Sequence, residues 1–281
     1  MIYENILDLI GNTPIIKFQD IFIKLESFNL AGSIKDRVAL KILEQLIKES
    51  KINKDSTVIE VTSGNTGIAI AMVCAIKHLK CMIIMQDNVN NEKVSILKAY
   101  GAKVILTPSK LGLKYATEYA KELAKEKGYI YINQFENINN VLAHENTANE
   151  IIKEFKNLDY LVCGIGTGGS ITGISKLLKE RYPNIKIIGV LPSEENHGIQ
   201  GIGAGFESKI LDKKYIDIIK TVTTKDAIDE FLNLSNQGLL LGISSAANFL
   251  VSKKIKNENK DKTILMISAD SGHKYLGDAI V

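Results

Sequence analysis

Cysteine is scarce in this chain: Cys74, Cys81 and Cys163 are the full set, and no two of them are in CxxC spacing. An odd, scattered set argues against a disulfide framework and for small buried hydrophobes in a reducing compartment, so the expected location is cytoplasmic. Histidine is equally sparse. His78, His144, His197 and His273 are scattered, with no H-E-x-x-H pair and no ligand cluster, so no metal is expected. His144 lies in a polar segment and reads as structural or exposed. No G-x-S-x-G elbow and no Walker A string occurs. Long apolar runs are missing too: the most apolar stretch, Gly67–Ile76, is far shorter than the ~20 residues of a membrane span. The start, Met1–Glu4, lacks the basic segment and apolar core of a secretory signal. A formal charge of +3 is too small to argue for nucleic acid or a membrane surface as partner.

What is present is an α/β alternation. At 281 residues, 45% hydrophobic and 24% charged, the chain suits a globular protein of one large or two medium domains. Thr57–Val61, Cys81–Met85, Lys103–Leu106 and Ile130–Tyr131 read as strands. Between them lie an apolar helix from the Thr62–Gly67 turn through His78, one over Asn91–Tyr100 and one over Gly112–Lys127. A helical region spans Asn140–Phe155, after which the rhythm resumes. It gives a strand at Tyr160–Cys163, a helix over Ser170–Arg181 and a strand at Lys186–Val190. Helices near Lys225–Ser235 and Ser244–Ile255 and a strand at Thr263–Ile267 follow, while Pro14–Phe18 and Ile21–Leu25 look like a hairpin. The pattern implies mostly parallel sheets with helices on both faces, in two units divided near Phe135–Asn140 with a cleft between them.

Three motifs carry chemistry. Gly164-Ile-Gly-Thr-Gly-Gly169 follows a strand and opens a helix, where backbone N–H groups and the helix dipole favour an anion. Thr167 and Ser170 add hydroxyl donors. The string matches G-x-G-x-x-G, but a dinucleotide site needs an acidic residue at the end of the next strand, and Glu194 arrives late. A single phosphate group fits better. Thr62-Ser-Gly-Asn-Thr-Gly67 is a second polar turn at a helix start; it reads either as an N-cap or as a receptor for a small carboxylate. In Gly32-Ser-Ile-Lys-Asp-Arg37, Lys35 falls on the first turn of a helix expected over Asp36–Glu49, burying Ala39, Ile42, Leu43, Leu46 and Ile47. A cation opposes the dipole there, and a lysine of lowered pKa suits imine formation.

In order, these motifs resemble the cysteine synthases (O-acetylserine sulfhydrylases), which belong to the fold-type-II pyridoxal 5′-phosphate (PLP) enzymes. The resemblance runs from Ile10-Gly-Asn-Thr-Pro14 and Lys24-Leu-Glu-Ser-Phe-Asn29 through the motifs above and Gln134-Phe-Glu-Asn137. It continues over Ile199-Gln-Gly-Ile-Gly-Ala-Gly-Phe206 and Gly242-Ile-Ser-Ser245, and ends near Asp270-Ser-Gly-His-Lys-Tyr275. It implies a tryptophan synthase β-like fold of two three-layer αβα domains with PLP in the cleft between them. One domain would span 30–140, carry Lys35 and the substrate loop, and include a mobile part near 80–125. The other would combine 8–29 with 141–281 and carry the phosphate loop. A regulatory module beyond residue 281 is not expected.

By the same resemblance Lys35 forms the internal Schiff base and moves the Cα proton. Asn65 bonds the phenolic oxygen of PLP, and Gly166, Thr167, Gly168, Gly169 and Ser170 cradle its phosphate. Ser244 faces the pyridine nitrogen. Thr62, Ser63, Thr66 and Gln134 grip the substrate carboxylate, and Gly201 and Ala204 line the cleft. The implied reaction is ping-pong: O-acetyl-L-serine loses acetate to give an aminoacrylate, and sulfide adds at Cβ to give L-cysteine. Sister chemistries are release of hydrogen sulfide from cysteine and formation of cystathionine or lanthionine; a non-catalytic binding paralogue is the third reading. A homodimer and a serine acetyltransferase partner are implied as well.

The chain departs from the family pattern in several places. Asn29-Leu-Ala-Gly32 replaces Asn-Pro-Gly or Asn-Pro-Ser, and Gln86-Asp-Asn-Val-Asn-Asn91 replaces a Pro-Glu-x-Met-Ser loop. Leu191–His197 is shorter than usual, and Gly272-His-Lys-Tyr275 stands where Gly-Glu-Arg-Tyr is common.

Overall fold

The computed structural model describes residues 2–278. In chain order its regular elements begin with β1 (Ile15–Phe18), β2 (Ile21–Leu25), α1 (Lys35–Lys48), β3 (Thr57–Val61) and α2 (Asn65–Ile76). Next come β4 (Lys80–Gln86), α3 (Asn91–Ala99), β5 (Lys103–Thr107), α4 (Gly112–Lys127) and β6 (Ile130–Tyr131). They are followed by α5 (Asn139–Leu142), α6 (Glu145–Glu154), β7 (Tyr160–Gly164), α7 (Gly169–Arg181) and β8 (Lys186–Pro192). Last are β9 (Ile218–Val222), α8 (Thr224–Ser235), α9 (Ile243–Glu258) and β10 (Ile264–Ser268).

The chain divides into two compact units, one over Lys35–Asn140 and one joining the residues up to Ile34 to those from Val141 onward. Ile34 groups with the larger unit because its N–H donates to Ala269 O at 2.8 Å and Ser33 bridges Asp270. That unit holds a six-stranded sheet ordered β1-β2-β10-β7-β8-β9. Only β1 and β2 pair antiparallel; the rest are parallel. Strand side chains alternate between faces, so Val162 and Met266 pack with Phe231, Ala247 and Phe249 of α8 and α9. Their neighbours Leu161, Cys163, Leu265 and Ile267 pack with Ile151 of α6 and Ile174 and Leu178 of α7. The result is a helix–sheet–helix sandwich.

In the Lys35–Asn140 unit, four parallel strands run in the order β5-β4-β3-β6. Ile59, Val61, Met82 and Ile84 meet Ala116, Ala120 and Ala124, a small-residue stripe at every fourth position that lets α4 lie close to the sheet. The apolar α2 is buried from Thr66 to Cys74 and packs against α1.

Three local expectations differ from the structure. Ile47 is exposed rather than buried, since α1 turns it away from the core that takes Ile42 and Leu43. The helical region near Asn140–Phe155 is broken at Ala143-His144 into α5 and α6. The edge strand β9, absent from the expected elements, has four of its five residues facing solvent and pairs with β8. Cys74, Cys81 and Cys163 are buried and form no disulfide among the described residues. Among the described residues no helix is long and apolar enough to cross a membrane, and no group of three His, Cys, Asp or Glu could hold a metal ion.

Candidate active site

In the Lys35–Asn140 unit the polar turn links β3 to α2. Thr62 N–H donates to Ile84 O at 3.1 Å, and Thr62 Oγ1 accepts the Gly64 N–H at 3.1 Å. The cap position of α2 is Gly64, so the cap residue itself brings no side chain to the positive end of the helix. The Thr66 hydroxyl donates to Gln134 Oε1 at 2.7 Å, joining the turn to the segment after β6. Gln134 is buried, and its Nε2 has no partner among the described residues. A Cβ on Gly67 would lie 2.6 Å from Thr62 Cγ2 and 3.1 Å from Ile83 Cγ2, so only glycine lets the helix start so close to the sheet. The structure thus brings Thr62, Thr66 and Gln134 together, with Ser63 and Asn65 in the same turn.

Beneath this turn lies Glu60, 1% exposed. Its Oε1 accepts the Val61 N–H at 2.8 Å and its Oε2 the Gln134 N–H at 3.1 Å. Burial pushes its carboxyl up to about 8, against the two N–H groups that pull it down. The Gln134 carbonyl in turn accepts Asn140 Nδ2 at 2.8 Å.

The larger unit holds the glycine loop between β7 and α7. Gly168 has φ +81°, and a Cβ there would come within 2.6 Å of Leu211. A Cβ on Gly166 would sit 2.3 Å from Gly201 O, and Gly203 N–H donates to Ile165 O at 2.9 Å. A Cβ on Gly201 would lie 3.9 Å from Ser244 Oγ. The glycine loop, the Gly201–Ala204 run and Ser244 at the start of α9 are therefore neighbours. The cap position of α7 is Gly168, and the Gly169 N–H donates to Thr167 Oγ1 at 3.3 Å, so the loop sets backbone and a hydroxyl at the positive end of the helix, where an anion is favoured.

Two histidines, given no functional role from sequence, brace this loop. His144 is fully buried, not exposed; its Nε2 lies 3.1 Å from Ser170 Oγ and its Nδ1 3.2 Å from Thr147 Oγ1. His197 Nδ1 accepts the Ile199 N–H at 3.2 Å, which leaves the proton on Nε2 to donate to Gly203 O at 2.9 Å. The dinucleotide alternative loses its acidic residue: Glu194 accepts the Thr224 N–H at 3.1 and 3.2 Å, capping the start of α8.

Lys35 is the first residue of α1 and is partly buried. The residues leading to it are tied down. Gly32 takes φ +80° and donates its N–H to Asn29 O at 2.8 Å, and Lys274 Nζ donates to Ala31 O at 2.9 Å.

Comparison with known proteins decides the family. The model of the pyridoxal-phosphate dependent enzymes matches residues 6–270. The chain belongs to that family. Cysteine synthase B of Campylobacter jejuni is 40% identical over 291 aligned positions, covering 98% of this chain and 97% of the relative. A cysteine synthase structure from Entamoeba histolytica shares 37% identity at a TM-score of 0.96, covering 100% of this chain and 91% of the other. A hydrogen sulfide-producing enzyme from Fusobacterium nucleatum shares 41% at a TM-score of 0.93, with 98% and 100% covered.

The residues present fit the family's cofactor. PLP carries one phosphate group, and the glycine loop, packed without side chains against Gly201 and Leu211, sets its backbone and the Thr167 hydroxyl at the positive end of α7. Sequence reasoning missed Glu60, His144 and His197 as members of this machinery. Their roles rest on hydrogen bonds to residues 74, 26 and 6 positions away, respectively, which no local pattern records.

Proposed function

We propose that this chain forms L-cysteine from O-acetyl-L-serine and sulfide by β-replacement. The observation that carries the reading is that each unit holds an anion receptor of its own character: a glycine loop at α7 in one and a hydroxyl-and-amide turn at α2 in the other. Lys35 would hold PLP through Nζ, Asn65 would meet its phenolic oxygen, Gly166–Ser170 would hold its phosphate, and Ser244 would offer its pyridine nitrogen a neutral hydroxyl instead of a carboxylate. When bound, the cofactor would supply an electron sink for charge developing at the substrate Cα. Thr62, Ser63, Thr66 and the Gln134 amide bind the substrate carboxylate, turning Cα toward Lys35. Lys35 Nζ then accepts the Cα proton, one amine serving as both tether and base. Gly201 and Ala204 border the reacting end without side chains large enough to block sulfide.

Release of hydrogen sulfide from cysteine is the second reading, favoured by the Fusobacterium nucleatum relative; the 86–91 loop departs from the family pattern and bears on substrate preference. There Asn90 caps α3 by accepting the Glu92 N–H at 2.8 Å, and Asp87 accepts the Ser109 N–H at 2.9 Å. Initial rates with O-acetylserine plus sulfide, set against cysteine alone, separate the two: a faster second rate overturns the synthase assignment. Lys35→Ala should abolish turnover in either case while leaving the circular dichroism spectrum unchanged. The reading also places the chain in the cytoplasm as a homodimer with serine acetyltransferase as partner; sedimentation alone and with that enzyme checks both associations.

A further inference from the structure

Glu60 has no part in the chemistry above, yet its position is costly. It is a carboxyl in the middle of a buried parallel strand, flanked in sequence by Ile59 and Val61, and a buried acid without strong compensation destabilises a fold. An apolar residue would suit β3 better. What the carboxyl does there is specific: each oxygen takes one backbone N–H, Val61 at 2.8 Å and Gln134 at 3.1 Å. Gln134 lies 74 positions away, and its carbonyl is held separately by the fully buried Asn140 at 2.8 Å. Both polar groups of the Gln134 backbone are thus bonded to buried side chains from different segments. Only its side chain is left to reach the Thr66 hydroxyl at 2.7 Å. β6 ends at Tyr131, so no ladder bond holds Gln134 in register.

We propose that Glu60 is a positioning residue for the substrate carboxylate: by anchoring the Gln134 backbone it aims the Gln134 amide into the α2 turn. The inference rests on the reading that Thr62, Ser63, Thr66 and Gln134 bind that carboxylate. Groups around Glu60 support a local, not a charge-pair, role. Tyr131 from β6 and Glu136 from the following turn are the ionisable neighbours whose phenol and carboxyl interact through this region, and neither supplies a positive charge. Glu60 therefore acts through the two N–H groups it accepts.

Replacing Glu60 by Gln keeps the volume but substitutes an N–H₂ donor for one acceptor, so one of the two N–H groups must turn away. The test is equilibrium binding to the PLP-loaded protein of L-serine and of ethanolamine, which is the same molecule without its carboxylate. Glu60→Gln should weaken L-serine about ten-fold, near 1.4 kcal/mol, and leave ethanolamine unchanged. In a Gln134→Ala background the same substitution should add nothing, since both changes remove one interaction. Glu60→Asp, which keeps the carboxyl but shortens its reach, should fall between Gln and wild type and serves if Gln does not fold. A Glu60 variant that lowers the melting temperature but leaves the preference for L-serine over ethanolamine intact overturns the inference. Additive effects with Gln134→Ala overturn it as well. If the wild-type protein itself shows no preference for the carboxylate-bearing ligand, the assignment of the α2 turn fails first.

Discussion

His144 Nε2 lies 3.1 Å from Ser170 Oγ, tying the residue before α6 to the first turn of α7. The imidazole is anchored behind by Thr147 and is fully buried, so it holds the serine rotamer without touching solvent. His144→Ala should leave Ser170 mobile and weaken PLP retention about ten-fold, near the value of one lost hydrogen bond in a buried network. Dialysis against rising PLP, read as bound cofactor absorbance, measures it.

The glycine at 166 is required by space, since its backbone approaches Gly201 O more closely than any side chain allows. Gly166→Ala should push the Gly201–Ala204 run away, costing about 2–4 kcal/mol as strain and lost packing. Urea unfolding reports the stability, and the cofactor content of the purified variant reports the cradle. Gly205→Ala is the control for distance: it has φ +78° but open space around it, so it should show strain without loss of cofactor.

Stability should depend on pH through Glu60. Its carboxyl titrates near 4.5 when unfolded and is raised to about 8 when folded. Across that window the folded chain holds a proton that the unfolded chain has released, so stability falls as pH rises through it and levels off above it. Tyr131 is pushed upward by burial first and then by Glu60 and Glu136, so it stays neutral throughout. Glu60→Gln should remove that slope. Unfolding free energies at about pH 5.5 and about pH 8.5 should therefore differ less in the variant than in wild type, by up to a few kcal/mol.

Lys24 is a buried cation on β2, 1% exposed, paired with Glu150 Oε2 at 2.7 Å and donating to Thr13 O at 3.0 Å. Glu150 Oε1 also accepts the Asn12 N–H at 2.9 Å, so the pair fastens the Gly11–Thr13 segment to α6. Lys24→Met removes the cation paired with Glu150 Oε2 and should cost about 3–5 kcal/mol, whereas Lys24→Met with Glu150→Leu should recover a large part of it. Chemical denaturation of the single and double variants decides this.

The regular elements were legible because their periodicity is written in neighbouring residues. Gly112–Lys127 and Ile130–Tyr131 form over the expected bounds because an alanine stripe and a short β-rich run need no distant partner to declare themselves. β9 was missed although Ile218, Ile219 and Val222 are β-formers: with four of its five residues facing solvent no alternation marks a buried face, and the strand is held by pairing with β8. The break between α5 and α6 escaped for the same reason. Nothing in Ala143-His144 stops a helix, but the break sets His144 against Ser170.

The site divides likewise. Glycines at 166 and 168 and the hydroxyls of Thr62 and Thr66 are properties of single residues, and the chemistry they permit follows from their type and order. The sequence by itself determined that an anion-binding loop, a polar helix start and an N-terminal lysine occur on an α/β chain, because each needs only a few adjacent residues. Only the tertiary structure decided how they are braced: which oxygen of Glu60 takes the Gln134 amide, and which nitrogen of His144 faces Ser170. A hydrogen bond demands an approach within about 3 Å in a set direction, and for residues far apart in sequence packing alone sets it.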